Sequence, residues 1–129
     1  MKIRILFPAL LATTAALVLP GCSTVNLDAT GDTQAVYELG QFQMVVNTTA
    51  PVTFNATQKA FKDLDLYQTK ATLNTYDAHL EARARNDQKV TVDIAEVNSR
   101  QTLLKIRWGT TGSKANSRAL YDAIEHNLR

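Results

Sequence analysis

The sequence predicts an α+β domain, a two-layer sandwich in which two helices cover one face of an antiparallel sheet. Apolar and polar residues alternate over several short segments, which is typical of strands with one buried face. Two other segments repeat apolar residues every three to four positions, which is typical of helices with one apolar side. The order of these segments is β-α-β-β-β-β-α, so both helices are available to cover the same face of the sheet.

The first predicted strand runs from Ala35 to Val46, and the first predicted helix from Pro51 to Leu64. The alternation in the strand changes phase at Gly40, which favours a β-bulge or bend at that glycine. Proline suits the first turn of a helix, and Thr49 is a candidate N-cap. The apolar stripe of this helix is predicted to consist of Val52, Ala56, Ala60 and Leu64, with Phe54 and Phe61 beside it.

Four shorter strands and a final helix are predicted to follow. The inward-facing residues of the strands are Tyr67, Thr69, Ala71 and Leu73, then Ala78, Leu80, Ala82 and Ala84, then Val90, Val92 and Ile94, then Leu104, Ile106 and Trp108. The segments Asn86-Asp87 and Asn98-Ser99-Arg100 are predicted turns. Ser113 is predicted to cap the last helix, whose apolar face carries Leu120, Tyr121, Ile124 and Leu128.

Residues 1–21 are typical of a bacterial lipoprotein signal peptide. Lys2 and Arg4 precede fifteen uncharged residues, Ile5 to Leu19, which match the length of a signal h-region and are short for a membrane span. The segment Leu19-Pro20-Gly21-Cys22 that follows resembles a lipobox, and Cys22 is the sole cysteine. The resemblance implies recognition of Leu19, Pro20 and Gly21 by a signal peptidase. It also implies a diacylglyceryl group on the Cys22 thiol and acylation, for example with palmitate, of the amine that cleavage frees.

The predicted organisation is therefore a signal peptide at 1–21, a lipidated Cys22 with a flexible polar tether to residue 34, and an α+β domain at 35–129. Two or three acyl chains hold a protein firmly to a bilayer. The expected location is the cell envelope, with the domain in the periplasm. Ser23 is not the Asp that retains lipoproteins in the inner membrane of enterobacteria, which favours the outer membrane.

The charge balance argues against nucleic acid as a partner. The chain has a formal charge of +2, from fourteen basic and twelve acidic residues. Lys2 and Arg4 lie in the signal, which leaves twelve of each sign in the remainder. A neutral domain lacks the basic surface that binds nucleic acid.

The order and spacing of several motifs resemble a domain family of uncharacterised small lipoproteins that is common in proteobacteria. The motifs are the lipobox, Tyr37-x-x-Gly40, the Ala56, Ala60 and Leu64 repeat, Asp77-Ala78, Thr102-x-x-x-Ile106-Arg107-x-Gly109, and Gly112 with Ser117. The resemblance covers nearly all of the chain after the signal. It implies the fold and the location, and no activity, because the family has none assigned. The chain departs from the family after Gly112, where Ser113 replaces a common acidic residue.

One candidate site is the segment from Gly109 to Lys114, between the last strand and the last helix. Backbone amides at a helix N-terminus and a lysine can bind an anion, and the residues concerned are Gly109, Gly112, Ser113 and Lys114. Their spacing is not that of a phosphate-binding P-loop. A tight turn with a serine cap explains the same residues, and we favour that interpretation.

A second candidate is a basic surface on the open face of the sheet, formed by Arg83, Arg85 and Arg107 with His79 and Lys105. It could contact acidic headgroups or cell-wall polymers. An ordinary solvated face is the favoured alternative, because Glu81 and Asp93 interrupt the surface.

The sequence indicates no enzyme, cofactor or metal site. Asp77 and His79 share a strand face and could form an acid–base pair, but no nucleophile motif accompanies them. His79 and His126 are far apart in the sequence and have no cysteine ligands beside them, so they do not match a zinc-binding signature. Two function classes remain, a non-catalytic envelope protein that has a structural role or binds a protein partner, and a module that binds a small ligand, an anion or lipid headgroups.

Overall fold

The computed structural model describes residues 23–27 and 34–129, which form seven strands and two helices. In chain order these are β1 (Ser23–Asn26), β2 (Gln34–Glu38), β3 (Gln41–Val46), α1 (Ala50–Asp63), β4 (Tyr67–Leu73), β5 (Asp77–Arg83), β6 (Lys89–Asn98), β7 (Gln101–Trp108) and α2 (Lys114–Leu128). The predicted signal peptide, lipobox and Cys22 lie outside the described residues. Within the described ranges, neither helix is long and apolar enough to span a membrane.

The strands form one antiparallel sheet in the order β1-β2-β3-β7-β6-β5-β4. It consists of two meanders, β1-β2-β3 and β4-β5-β6-β7, which meet where β3 pairs with β7. In that pairing Phe42 lies opposite Ile106, and Met44 lies opposite Leu104. The two helices contact each other and pack on the sheet. The structure confirms the predicted α+β class and antiparallel sheet, with more strands than predicted.

The core lies between the sheet and the helices. Alternate residues of β5, β6 and β7 are buried, as predicted, and include Leu80, Val92 and Ile106. Leu120 and Ile124 of α2 are fully buried against them, and the Tyr121 ring lies 5.4 Å from that of Phe42 between ring centres. Burial of these side chains is the main free-energy term that stabilises the domain.

Helix α1 confirms the predicted position of Pro51 in its first turn, but its buried face differs from the predicted stripe. Val52, predicted to face the core, is 47% exposed, whereas Thr53 and Thr57 are fully buried. The hydroxyls of these threonines donate to the Thr49 and Thr53 carbonyls, so both of these buried hydroxyls are paired. The apolar pattern therefore does not predict Thr53 and Thr57 as core residues, because threonine is polar.

The predicted single strand from Ala35 to Val46 is wrong, because the segment is a hairpin. Leu39 and Gly40 form its two-residue turn, with φ angles of +50° and +77°. Positive φ at both central residues is the geometry that matches the twist of hairpin strands. Tyr37 lies opposite Phe42, which explains why the apolar alternation changes phase at Gly40.

The predicted flexible tether is also wrong for its first residues. Ser23–Asn26 form β1, which pairs with β2 so that Ser23 lies opposite Tyr37. The Ser23 hydroxyl donates to the Tyr37 carbonyl at 3.3 Å. The rest of the predicted tether, residues 28–33, lies outside the described residues. The sheet therefore includes Ser23–Asn26, which precede the predicted start of the domain at residue 35.

Strand β4 lacks the buried face that was predicted for Tyr67, Thr69, Ala71 and Leu73. It is an edge strand, and all seven of its residues are exposed even though Gln58 of α1 donates to Gln68 of β4. The register also shifts between Gln68 and Lys70, so Thr69 is an extra residue that breaks the alternation.

The remaining turns and the cap of α2 agree with the sequence, whereas Thr49 occupies the N-cap position of α1 without a side-chain hydrogen bond to the helix. Asp87 takes a φ of +63° in the turn between β5 and β6, a conformation that Asp and Asn tolerate. Ser113 caps α2, since its hydroxyl oxygen accepts from the Asn116 amide at 3.3 Å. Trp108 is half-buried, and its indole N–H donates to Gln88.

Candidate functional site

The open face of the sheet carries a charged cluster centred on His79. The β5–β6 register places His79 opposite Asp93, and its Nδ1 lies 2.6 Å from an Asp93 carboxylate oxygen. Its Nε2 lies 3.0 Å from a Glu81 carboxylate oxygen, and the Lys89 ammonium lies 3.3 Å from the same carboxylate. The four side chains form a cross-strand ion-pair network that is partly exposed to solvent.

The geometry shifts two pKa values in opposite directions. The hydrogen bond from His79 to Asp93, and then the one to Glu81, raise the pKa of His79 above 6.5. The hydrogen bond from His79 lowers the pKa of Glu81 below 4.5, and Lys89 acts in the same direction. Both ring nitrogens of His79 thus face carboxylates, which leaves neither free to abstract a proton from a substrate in this arrangement.

The proposed acid–base pair of Asp77 and His79 does not form. The Asp77 carboxylate accepts from the Asn74 side-chain amide at 2.6 Å, while His79 contacts Asp93 and Glu81 instead. Within residues 23–27 and 34–129, no group of three or more His, Cys, Asp or Glu side chains is arranged to hold a metal ion.

The cluster gives the stability of the domain a pH dependence. His79 has a raised pKa in the folded state, so it stabilises the fold below pH 6.5, and this contribution is lost as the pH rises through the raised pKa. Glu81 has a lowered pKa, so its contribution is present above pH 4.5 and is lost as the pH falls through the lowered value. We expect the contribution of this cluster to the free energy of unfolding to be greatest between pH 4.5 and pH 6.5.

Urea unfolding across a pH series measures this dependence. His79→Gln should remove the decline in stability on the alkaline side. His126→Gln, which replaces the other histidine of the chain, is the control and should retain the decline. Equal alkaline declines in the parent chain and in His79→Gln would contradict the assignment to His79.

The predicted basic surface is not a single patch. Arg85 lies in the β5–β6 turn and pairs with Asp65 at 3.1 Å, so its placement on the open face is wrong. The Arg83 guanidinium lies 4.0 Å from the Asp87 carboxylate. Arg107 donates to the Leu39 carbonyl at 2.8 Å. Arg83 and Arg85 thus each lie beside an acidic side chain, and Arg107 of β7 contacts the β2–β3 turn.

The predicted anion-binding loop packs tightly against the β2–β3 turn. Gly112 has a φ of +86°, and a Cβ there would lie 2.3 Å from the Gly40 carbonyl oxygen. A Cβ on Gly40 would in turn lie 2.5 Å from the Thr111 carbonyl oxygen. The Lys114 ammonium donates to the Ser23 hydroxyl at 3.3 Å. Chain packing therefore accounts for Gly40 and Gly112, and anion binding at Gly109, Gly112, Ser113 and Lys114 stays a prediction.

These contacts define two opposite ends of the sheet. The first, called the Ser23 end, carries Ser23, the Leu39-Gly40 turn, and the loop from Gly109 to Lys114. The second, called the Tyr76 end, carries the turn between β4 and β5 and the turn between β6 and β7.

The Tyr76 end exposes apolar side chains that the sequence pattern does not predict as a functional surface. Tyr76 is 70% exposed and Val97 is 61% exposed, and both line one open hollow. The Glu96 amide donates to the Tyr76 carbonyl at 2.8 Å, which holds the two turns together. The only indication of this surface in the sequence is a tyrosine among turn residues. Val97 lies at a register shift between β6 and β7, which the sequence does not predict.

The fold defines the class of protein, an α+β domain in which two helices pack on an antiparallel sheet. The chain belongs to DUF3568, a family of proteins of unknown function, and the match covers residues 4–127. No curated protein matches the chain.

Proposed function

We propose that this protein is a non-catalytic lipoprotein of the bacterial envelope, anchored in a bilayer through acylated Cys22, which binds a partner protein with its Tyr76 end. The sequence features that support the anchor are the uncharged segment Ile5 to Leu19 and the lipobox that ends in Cys22. The partner is another protein of the envelope, and the outer membrane is the favoured location because of Ser23.

The observation that carries the proposal is the separation of the two ends. Ser23, which follows Cys22 directly, lies at one end of the sheet, and Tyr76 and Val97 lie exposed at the other. A lipid on Cys22 leaves the Tyr76 end pointing away from the bilayer. Exposed tyrosine beside an aliphatic side chain is typical of protein-binding surfaces, because the ring buries a large area and its hydroxyl can pair with a partner.

Two observations favour this function over the alternatives. Catalysis by His79 is disfavoured because both of its ring nitrogens face carboxylates. The small-ligand alternative has less support because Gly112 is in contact with Gly40, which packs the loop from Gly109 to Lys114 against the β2–β3 turn.

The proposal is tested in living cells with a photo-crosslinking amino acid in place of Tyr76. We expect one discrete crosslinked protein species, because a specific interface presents the same neighbour to every copy. Val97→Asp should lower its yield several-fold, since a charge at an apolar interface is costly to desolvate. The same probe at Lys59, an exposed residue in the middle of α1, is the control and should give no such species.

The Cys22→Ser variant, expressed in the same cells, tests the lipid anchor. It should abolish metabolic palmitate labelling and release the chain from the membrane fraction or leave it unprocessed. Palmitate labelling that persists without the Cys22 thiol would overturn the anchor. Crosslinks of equal yield from the Tyr76 and Lys59 probes would overturn the binding surface.

A further inference from the structure

Leu39 is an unusual residue for its position. It is the first central residue of the β2–β3 turn, with a φ of +50°, a conformation that Asn, Asp and Gly adopt at least cost. Its side chain is also 73% exposed. Both backbone conformation and exposure disfavour leucine here, so the packing of the domain does not explain it. Strained exceptions of this kind point to function.

The turn that carries Leu39 is firmly held. The Arg107 guanidinium donates to the Leu39 carbonyl at 2.8 Å, and Gly40 is in close contact with Thr111 and Gly112. These contacts fix the backbone on one side of the turn and leave the Leu39 side chain directed to solvent.

The turn lies beside the point where the chain continues to Cys22. Ser23 pairs with Tyr37, which is two residues before Leu39. Ser23 follows Cys22 directly in the sequence, so a lipid on Cys22 would be attached at this end. The Lys114 ammonium contacts the Ser23 hydroxyl and is therefore at the same end. An apolar side chain, a cation and the proposed lipid attachment thus lie together.

We propose that the Ser23 end rests on the bilayer, with the Leu39 side chain in the boundary between headgroups and acyl chains and the Lys114 ammonium among lipid phosphates. The inference rests on the proposed acylation of Cys22. Apolar side chains beside basic ones are what interfacial membrane contacts use. An anionic surface attracts each nearby basic side chain, strengthening association about fivefold for each. Because β1 starts at Ser23, the lipid holds the domain at one fixed end rather than on a long tether.

The depth of Leu39 tests this inference in the mature lipidated chain. Leu39→Cys is labelled with an environment-sensitive nitrobenzoxadiazole dye and reconstituted in phosphatidylethanolamine and phosphatidylglycerol vesicles. Lipidation consumes the Cys22 thiol, so the introduced thiol is the only one that reacts. We expect several-fold stronger quenching by nitroxide-labelled lipids than for the matched control Tyr76→Cys, which is at the opposite end and similarly exposed.

A second comparison keeps the fold intact. Asparagine tolerates the turn conformation of Leu39, so Leu39→Asn should fold at least as well as the parent chain. With the dye on Thr110→Cys, an exposed residue of the neighbouring loop, Leu39→Asn should lower quenching several-fold. Lys114→Glu should lower it in vesicles that contain phosphatidylglycerol more than in those without.

The outcomes separate this inference from the proposed function. Equal quenching at Leu39→Cys and Tyr76→Cys in a chain whose mass includes the diacylglyceryl group would overturn the membrane contact and leave the anchor standing. A chain that lacks this mass and takes up two dyes has a free Cys22, which would overturn the anchor and this inference together.

Discussion

Gly112→Ala is expected to lower the free energy of unfolding by about 2–6 kcal/mol, through backbone strain and overpacking together. The new Cβ would lie 2.3 to 2.7 Å from backbone atoms of Gly40, where no flexible side chain can move away. The positive φ of Gly112 adds strain, because L-residues with a Cβ disfavour that region. The loop and the β2–β3 turn must separate to accommodate the methyl group.

Gly109→Ala is the matched control for this substitution. Gly109 also has a positive φ, of +78°, but the nearest atom to its Cβ is the end of the Gln88 side chain at 3.4 Å. It should therefore lose only the conformational part, about 1–2 kcal/mol. Urea unfolding of the chain from Ser23 onward, followed by the fluorescence of Trp108, measures both. Equal losses in the two variants would contradict the contact between Gly112 and Gly40.

Ile106→Ala should cost about 2–5 kcal/mol, because the substitution removes buried methyl groups and leaves a cavity. Ile106 is fully buried, and the strand register places it between Phe42 of β3 and Val92 of β6. The cavity therefore opens in the middle of the sheet, where neighbours on both sides are paired and cannot collapse into it.

Lys105→Ala is the control for the opposite face of the same strand. Lys105 lies on the open side of β7, so its truncation should change the unfolding free energy by no more than about 0.5 kcal/mol. The same urea experiment applies to both variants. An Ile106→Ala loss as small as that of Lys105→Ala would show that the two faces of β7 are assigned the wrong way round.

The elements that the sequence predicted best are those with one buried face. Val92 and Ile106 alternate with polar residues on strands that the helices cover, so the pattern in the sequence matches the environment. Ser113 was identifiable as a cap because its hydroxyl pairs with an amide three residues along the same chain. Local interactions of this kind are readable from neighbouring residues.

The predictions failed where contacts between distant residues determine the structure. The role of Gly40 depends on Gly112, which no local pattern connects to it, and the hairpin was therefore interpreted as a bent strand. Ser23–Asn26 are too polar to predict as a strand, and pairing with β2 determines their conformation. The burial of Thr53 is not predicted because threonine is polar, and the hydrogen bond within the helix that makes its burial tolerable is not visible in the apolar pattern.

The candidate site was less predictable than the fold. The basic residues in the sequence predict a basic surface, but some of them form ion pairs with residues from distant segments. Arg85, for example, pairs with Asp65. The exposure of Tyr76, Val97 and Leu39 depends on which strand ends the helices leave uncovered. From the sequence alone, an apolar residue in a turn cannot be assigned to the core or to the surface, because its exposure depends on where the turn lies in the fold.

The pairing of β3 with β7 has a consequence for how the chain folds. β3 lies near the middle of the sheet, yet one of its two neighbours is β7, the last strand among the described residues. The β4-β5-β6-β7 meander can form from contacts between adjacent segments, whereas joining it to β3 closes a loop that contains about half of the domain. The joining step is therefore expected to limit the rate of folding, and β3 stays without its second neighbour until β7 has been synthesised.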